Sequence, residues 1–208
     1  MRTTVTVVAG VLLALIMCAA MTVIYLRTTG LNARGTPGVM ETRAARAARR
    51  LAIPRTSREQ KNPIPESAAA IADGMAHFAD HCASCHGNDG SGQTEIGRGL
   101  YPKTPDMRLP ETQELSDGEL FYIIDNGVRF TGMPAFGTGT TAGAEPTWHL
   151  VHFLRRLPRL TADDLQRMET LNPRSPEEIR QEIEEQQFLQ GGGDASPTSS
   201  PQRSGGRR

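Results

Sequence analysis

Cys82 and Cys85 stand three positions apart with His86 directly after them, in the run Cys82-Ala83-Ser84-Cys85-His86. No other feature restricts the fold as strongly, because two thiols and an imidazole at this spacing serve one centre. Three chemistries use such a pair. A structural zinc site needs two further ligands, and the chain has only three cysteines, the third being the distant Cys18. A redox dithiol accompanies a βαβ pattern, and no run of strand type is present. The third chemistry is the attachment of c-type haem, for which C-x-x-C-H is the signal. Two thiols add across the two vinyl groups of a porphyrin and hold its edge against the chain. The next residue then lies under the iron, with His86 Nε2 as proximal ligand. The expected cofactor is one covalent haem c on Cys82 and Cys85.

Composition restricts the rest once it is divided by segment. Over 208 residues, 23 basic and 23 acidic side chains cancel to zero, which argues against a nucleic-acid partner. Three cysteines exclude a disulfide scaffold. With 38% hydrophobic and 22% charged residues, neither a polytopic membrane protein nor a fully disordered chain fits. The neutrality is a cancellation: +1 over residues 1–26, +7 over 27–65, −1 at Glu66, −4 over 67–160, −5 over 161–190 and +2 over 191–208. Eight of the ten aromatic residues lie between 67 and 160. The packed core is expected there. A domain of about ninety residues has a small margin from apolar burial alone, and a cofactor would add core surface.

Val5 to Leu26 is an apolar run of 22 residues without a charge, long enough to cross a hydrocarbon core of roughly 30 Å. A cleaved signal peptide, with a small-residue site at Cys18-Ala19-Ala20, is the competing reading. The run continues past that site to Leu26, and Tyr25 sits where an interfacial aromatic belongs, so residues 1–26 are read as a transmembrane anchor. Cys18 is then a small hydrophobe in the span. Residues 27–66 read as a basic, proline-containing linker whose segment 27–53 either lies on anionic lipid headgroups or is a solvated arm. Residues 161–190 read as an acidic helical extension, with starts at Thr161/Asp164 and Ser175/Pro176, and 191–208 as a disordered tail.

Within 67–160 the periodicity predicts three helices. The first runs from Ser67 to His81, with Met75, Phe78, Ala79 and Cys82 on one apolar stripe. The second starts at Ser116, where Glu119 completes a capping box, buries Leu120, Ile123 and Ile124, and stops at Asn126-Gly127. The third begins after Pro146 with Thr147 as cap, carries Trp148, Val151, Leu154 and Leu157, and ends at Pro158.

A distal iron ligand can be sought in the same way. Thioether sulfur is a soft ligand that raises a haem's potential, and the methionines beyond the motif are Met107, Met133 and Met168. Met133 lies 47 residues past His86 between Gly132 and Pro134, in a loop that can bring sulfur over the opposite face. Met107 is only 21 residues on, confined by Pro105 and Pro110, and Met168 falls beyond the expected domain. His77 and His81 precede the motif on its own helix and belong to the His86 side of the ring. His149 and His152 read as surface or partly packed residues. Arg98, Lys103 and Arg108 are either propionate partners or solvated loop charges, and Gly90, Gly92, Gly97 and Gly99 let backbone pack close to the ring.

Phe78, the Cys82–His86 motif with Gly87, Asp89-Gly90-Ser91-Gly92, Gly132-Met133-Pro134-Ala135-Phe136 and a terminal helix with Trp148 together resemble class I monohaem cytochromes c over about residues 67–160. The flanking segments look like the membrane-anchored bacterial members. The resemblance implies an all-α fold of three to four helices around covalent haem, with its N- and C-terminal helices crossing, on an N-terminal transmembrane helix. It implies His86 and Met133 as proximal and distal iron ligands and single-electron transfer without catalysis of its own. It also implies a proline carbonyl as acceptor for the other nitrogen of His86, with Pro102 the candidate and Pro105 its competitor. Haem attachment in that family occurs outside the bacterial inner membrane, which places the haem domain on the periplasmic side. Arg27, Arg34, Arg43 and Arg46 after the span point the other way by the positive-inside rule, and the attachment motif is the more specific signal. The expected partners are a redox donor and acceptor. The alternative is an electron-entry subunit of a dehydrogenase or oxidase complex, with residues 161–208 as a docking arm.

Overall fold

Gly and Pro punctuate this chain into short helical runs, and a computed structural model, which describes residues 2–30 and 32–189, contains only helices among those residues. In order they are α1 (Arg2–Thr29), α2 (Val39–Ala52), α3 (Arg55–Glu59), α4 (Ala68–His77), a π turn (Phe78–Cys82), α5 (Ala83–His86), α6 (Glu95–Gly99), α7 (Pro110–Gln113), α8 (Asp117–Asn126), α9 (Thr141–Arg156), a 3₁₀ turn (Leu157–Arg159), α10 (Ala162–Leu171) and α11 (Pro176–Leu189). The expected all-α class holds. Among the described residues, 2–171 belong to one unit and 172–189 to another. The tail expected from 191 onward lies outside the described residues.

The frame of the first unit is the crossing of α4 and α9. Ser67 caps α4 by accepting a hydrogen bond from the Ala70 N–H. One turn on, Gly74 faces the backbone of α9, and a Cβ there would meet the His149 carbonyl oxygen at 2.2 Å. The helices therefore approach backbone to backbone, which only glycine permits. A further turn brings Phe78 against Phe153, ring centroids 5.1 Å apart and both rings fully buried. Each such side chain contributes roughly 1.5–3 kcal/mol by leaving water. Met75, Leu150, Val151, Leu154 and Leu157 continue this core, and Trp148 stacks on Phe121 at 4.1 Å.

α8 starts as expected: Ser116 Oγ accepts from the Glu119 N–H, and the Glu119 carboxylate accepts from the Ser116 N–H. Leu120 and Ile124 are buried, Ile123 is partly so, and Gly127 at φ +67° ends the helix. α9 begins earlier than Pro146. Thr140 caps it by accepting from the Gly143 N–H, and Pro146 lies inside the helix. Proline there removes one backbone hydrogen bond ahead of the packed stretch, so the helix tolerates it. Thr147 is buried rather than a cap.

Packing extends beyond residues 67–160 on both sides. Residues 53–66 dock on the helices that follow. Ile53 is buried, Arg58 O accepts from Ser116 Oγ at 2.8 Å, the Asn62 amide donates to Trp148 O at 3.0 Å, and Ile64 O bonds His152 Nε2 at 2.8 Å. At the other end α10 opens with a Thr161/Asp164 box and places Met168 fully inside the core, with Leu171 packed beside it. The packed region thus runs to Leu171, past residue 160. In the second unit Ser175 and Glu178 cap α11 reciprocally, and Arg174 pairs with Glu182.

α1 is the one described helix long and apolar enough to cross a membrane, over Thr4–Thr28, and none of that stretch is buried. A helix that is apolar all round and lies outside the core suits lipid rather than water.

Candidate haem site

The core helix α4 delivers the motif through the π turn. Phe78 and Ala79 point into the core, and Cys82, Cys85 and His86 follow, each only partly exposed. Neither cysteine is in a disulfide. Among the described residues no three His, Cys, Asp or Glu side chains come together to hold a metal ion, which leaves a zinc reading without ligands. Burial pushes the Cys82 thiol up to about 12. Such a thiol stays protonated, unlike the acidified thiols of redox motifs, whereas a thioether bond leaves no charge to desolvate.

Burial pushes the His86 imidazole down to about 4, so the ring is neutral near pH 7. Its Nδ1 is buried without a hydrogen-bond partner, and the Phe78 ring lies 6.4 Å away. A neutral imidazole is what iron ligation through Nε2 requires, and the unpartnered Nδ1 is the other ring nitrogen, which lacks the second partner that orients a metal-bound histidine. Cys82, Cys85 and His86 therefore fit haem c.

The backbone under the motif is tied down by the loop that follows. The Gly92 N–H donates to His86 O at 2.7 Å, and Thr94 Oγ1 donates to Cys85 O at 3.0 Å while capping α6. A Cβ on Gly92 would meet Thr104 O at 2.5 Å, and one on Gly97 would meet Cys85 O at 2.4 Å. These two glycines serve backbone-on-backbone packing around the motif. Thr94 had no distinguishing sequence signal beyond an ordinary cap spacing, because its second bond is tertiary.

Pro102 does not accept a hydrogen bond from His86, and neither does Pro105, since Nδ1 is unpartnered. Their loop is held elsewhere. Thr104 N–H donates to Gly97 O at 3.2 Å, Tyr101 Oη donates to the Glu41 carboxylate at 2.7 Å, and Lys103 Nζ donates to Ala33 O at 2.8 Å. Nor are the three loop cations free. Arg98 donates to Gln93 O, Lys103 also to Arg98 O, and Arg108 pairs with Asp106 and Asp89. The Arg108 guanidinium holds the Asp106 carboxyl below the usual carboxylate range. Arg98 and Arg108 remain exposed, as solvated loop charges do, and Lys103 is half-buried.

Met133 sits on the loop between α8 and α9, which folds back on the end of α8. Val128 N–H donates to Met133 O at 3.1 Å, Met133 N–H to Thr131 Oγ1 at 3.1 Å, and Phe136 N–H to Ile124 O at 3.1 Å. Its side chain is partly buried against the same core that Phe78 enters. Met107 and Met168 are buried in that core. Among these three, Met133 alone keeps partial exposure. The histidines are engaged otherwise: His77 packs on His81, His81 pairs with Asp80, His149 with Asp73, and His152 bonds Ile64 O. Phe130, which sequence reasoning passed over, is the one described non-glycine residue at positive φ (62°) and is 93% exposed.

Residues 69–154 match the family described as "Cytochrome C oxidase, cbb3-type, subunit III". No curated protein matches the chain.

Proposed function

We propose, from the premise that residues 69–154 are a class I c-type cytochrome domain carrying haem c for electron transfer, that this chain is a membrane-tethered single-electron carrier with His86 and Met133 as axial ligands. The haem supplies a one-electron Fe(III)/Fe(II) couple. The protein's share is to hold it and exclude other chemistry. Cys82 and Cys85 anchor the ring edge, the buried neutral His86 offers its lone pair without a competing proton, and the α8–α9 loop presents Met133. With His86 and Met133 both holding the iron, no position would be left for a substrate, and the domain would act as a carrier rather than an enzyme. α1 tethers the domain, with the haem side outside the inner membrane as the attachment chemistry implies.

The observation that carries the ligand assignment is the partial exposure of Met133 beside two methionines committed to the core. Met133→Ala in the haem-loaded protein is expected to abolish the sulfur-to-iron absorption band and let carbon monoxide bind the reduced form. An unchanged spectrum would falsify the assignment. A second reading, a subunit that passes electrons into an oxidase complex, is favoured by the description of the matched family and by exposed Ile179, Ile183 and Phe188 on α11. A stoichiometric partner retained through mild-detergent purification would select it over the free carrier.

A further inference from the structure

The two faces of α2 differ. One face is tied to the haem domain: the Glu41 carboxylate accepts from Tyr101 Oη at 2.7 Å, Arg46 pairs with Glu111 at 3.7 Å, and Arg49 is partly buried. On the opposite face Met40, Ala44, Ala47 and Leu51 recur at i, i+4, i+7 and i+11, an apolar stripe with Arg43 at its edge, while Arg50 turns toward the cleft lined by Glu111 and Glu114. Met40 is 75% and Leu51 85% exposed. Large apolar side chains on an exposed helix face need a cover.

Position identifies that cover. Residues 30–38 join α1 to α2, and so short a segment reaches at most about 30 Å even when extended. The Lys103–Ala33 bond shortens it further by holding the middle of the segment against the haem domain. α2 therefore stays beside the surface from which α1 emerges. Between residues 27 and 53 there are six arginines and one acidic residue, so an anionic surface is complementary. A second copy of α2 would set Arg43 against its own kind. An apolar stripe edged by arginine is the pattern of a helix lying in the headgroup–acyl boundary.

We infer that α2 is an interfacial helix, its Met40–Ala44–Ala47–Leu51 stripe embedded in an anionic bilayer surface with Arg43 on lipid phosphate, while Glu41 and Arg46 hold the haem domain on its other side. The haem domain is then fixed at the membrane rather than swinging on a tether. The inference rests on the reading of α1 as a membrane anchor.

The test uses the full-length haem-loaded protein with Cys18→Ala, in bilayers of phosphatidylcholine with or without phosphatidylglycerol. Nitroxide labels are placed singly at Leu51→Cys, Leu13→Cys and Glu184→Cys, and their collision rates with oxygen and with a water-soluble nickel chelate are measured. In phosphatidylglycerol bilayers, Leu51 should show severalfold lower nickel accessibility than Glu184 and higher oxygen accessibility. Arg43→Gln, or omission of the anionic lipid, should return it toward the Glu184 value. A lipid-buried Leu13 with Leu51 as wet as Glu184 sinks the inference and leaves the anchor standing. A wet Leu13 sinks both. A Leu51 label shielded from both reagents means a protein covers the stripe, and the bilayer assignment is wrong.

Discussion

Replacing Gly74 by alanine separates two opposing effects at the α4–α9 crossing. In an exposed helix interior the change is favourable by about 1 kcal/mol, because alanine is the better helix former. In this structure the new Cβ would lie 2.2 Å from the His149 carbonyl oxygen and 2.7 Å from its carbon, where ordinary contact begins near 3.4 Å. The obstacle is backbone and cannot rotate away, so the helices must part by roughly 1 Å, a gap that forfeits a quarter to a half of each dispersion contact across the seam. The Phe78–Phe153 pair, at 5.1 Å, lies in that seam. Overpacking costs about 1–3 kcal/mol, and the upper end applies where the clash is with a carbonyl. Less the helix gain, the net destabilisation is about 2 kcal/mol. Guanidinium unfolding of the haem-loaded protein in detergent, followed by circular dichroism and haem absorbance together, measures it. The midpoint should fall with the slope unchanged. A midpoint that stays put or rises would mean that the backbone contact does not set the crossing, and the reasoning fails.

Two further outcomes follow from the outward shift of the domain's end. Met168 is fully buried on α10, so Met168→Ala should destabilise the haem domain by about 2–5 kcal/mol in the same unfolding assay; a change within error would return α10 to the status of an appendage. The Thr161 backbone N–H holds the Asp164 carboxyl below the usual range, with Thr161 Oγ1 and Arg156 assisting. Its folded pKa is depressed, so its stabilisation of the α10 cap is complete above the unfolded value near 3.9 and is lost as pH falls through the lower folded value. The amide shift of Thr161 should titrate with a midpoint below that of an ordinary aspartate, and a midpoint at or above it counts against the cap.

What the sequence by itself determined here is local chemistry. The Cys82–His86 spacing, the Ser116/Glu119 capping box, the charge-free run ending at Leu26 and the stop at Gly127 each depend on groups a few positions apart, where covalent connection already brings them within reach. The tertiary structure decided what depends on distant partners. Asn62 finds Trp148 O 86 residues away, and Ser116 finds Arg58 O 58 residues away, so a segment that reads as linker becomes part of the domain. Met168 reads as lying outside the domain until α10 folds it into the core. Arg98, Lys103 and Arg108 read as propionate partners or solvated loop charges, and only the folded loop shows which protein acceptors they meet. Periodicity reports which face of a helix is apolar, but not which carbonyl, carboxylate or glycine the folded chain will bring opposite it. For that reason haem attachment was legible from five residues, while the packing behind His86 was visible only once the chain had closed around it.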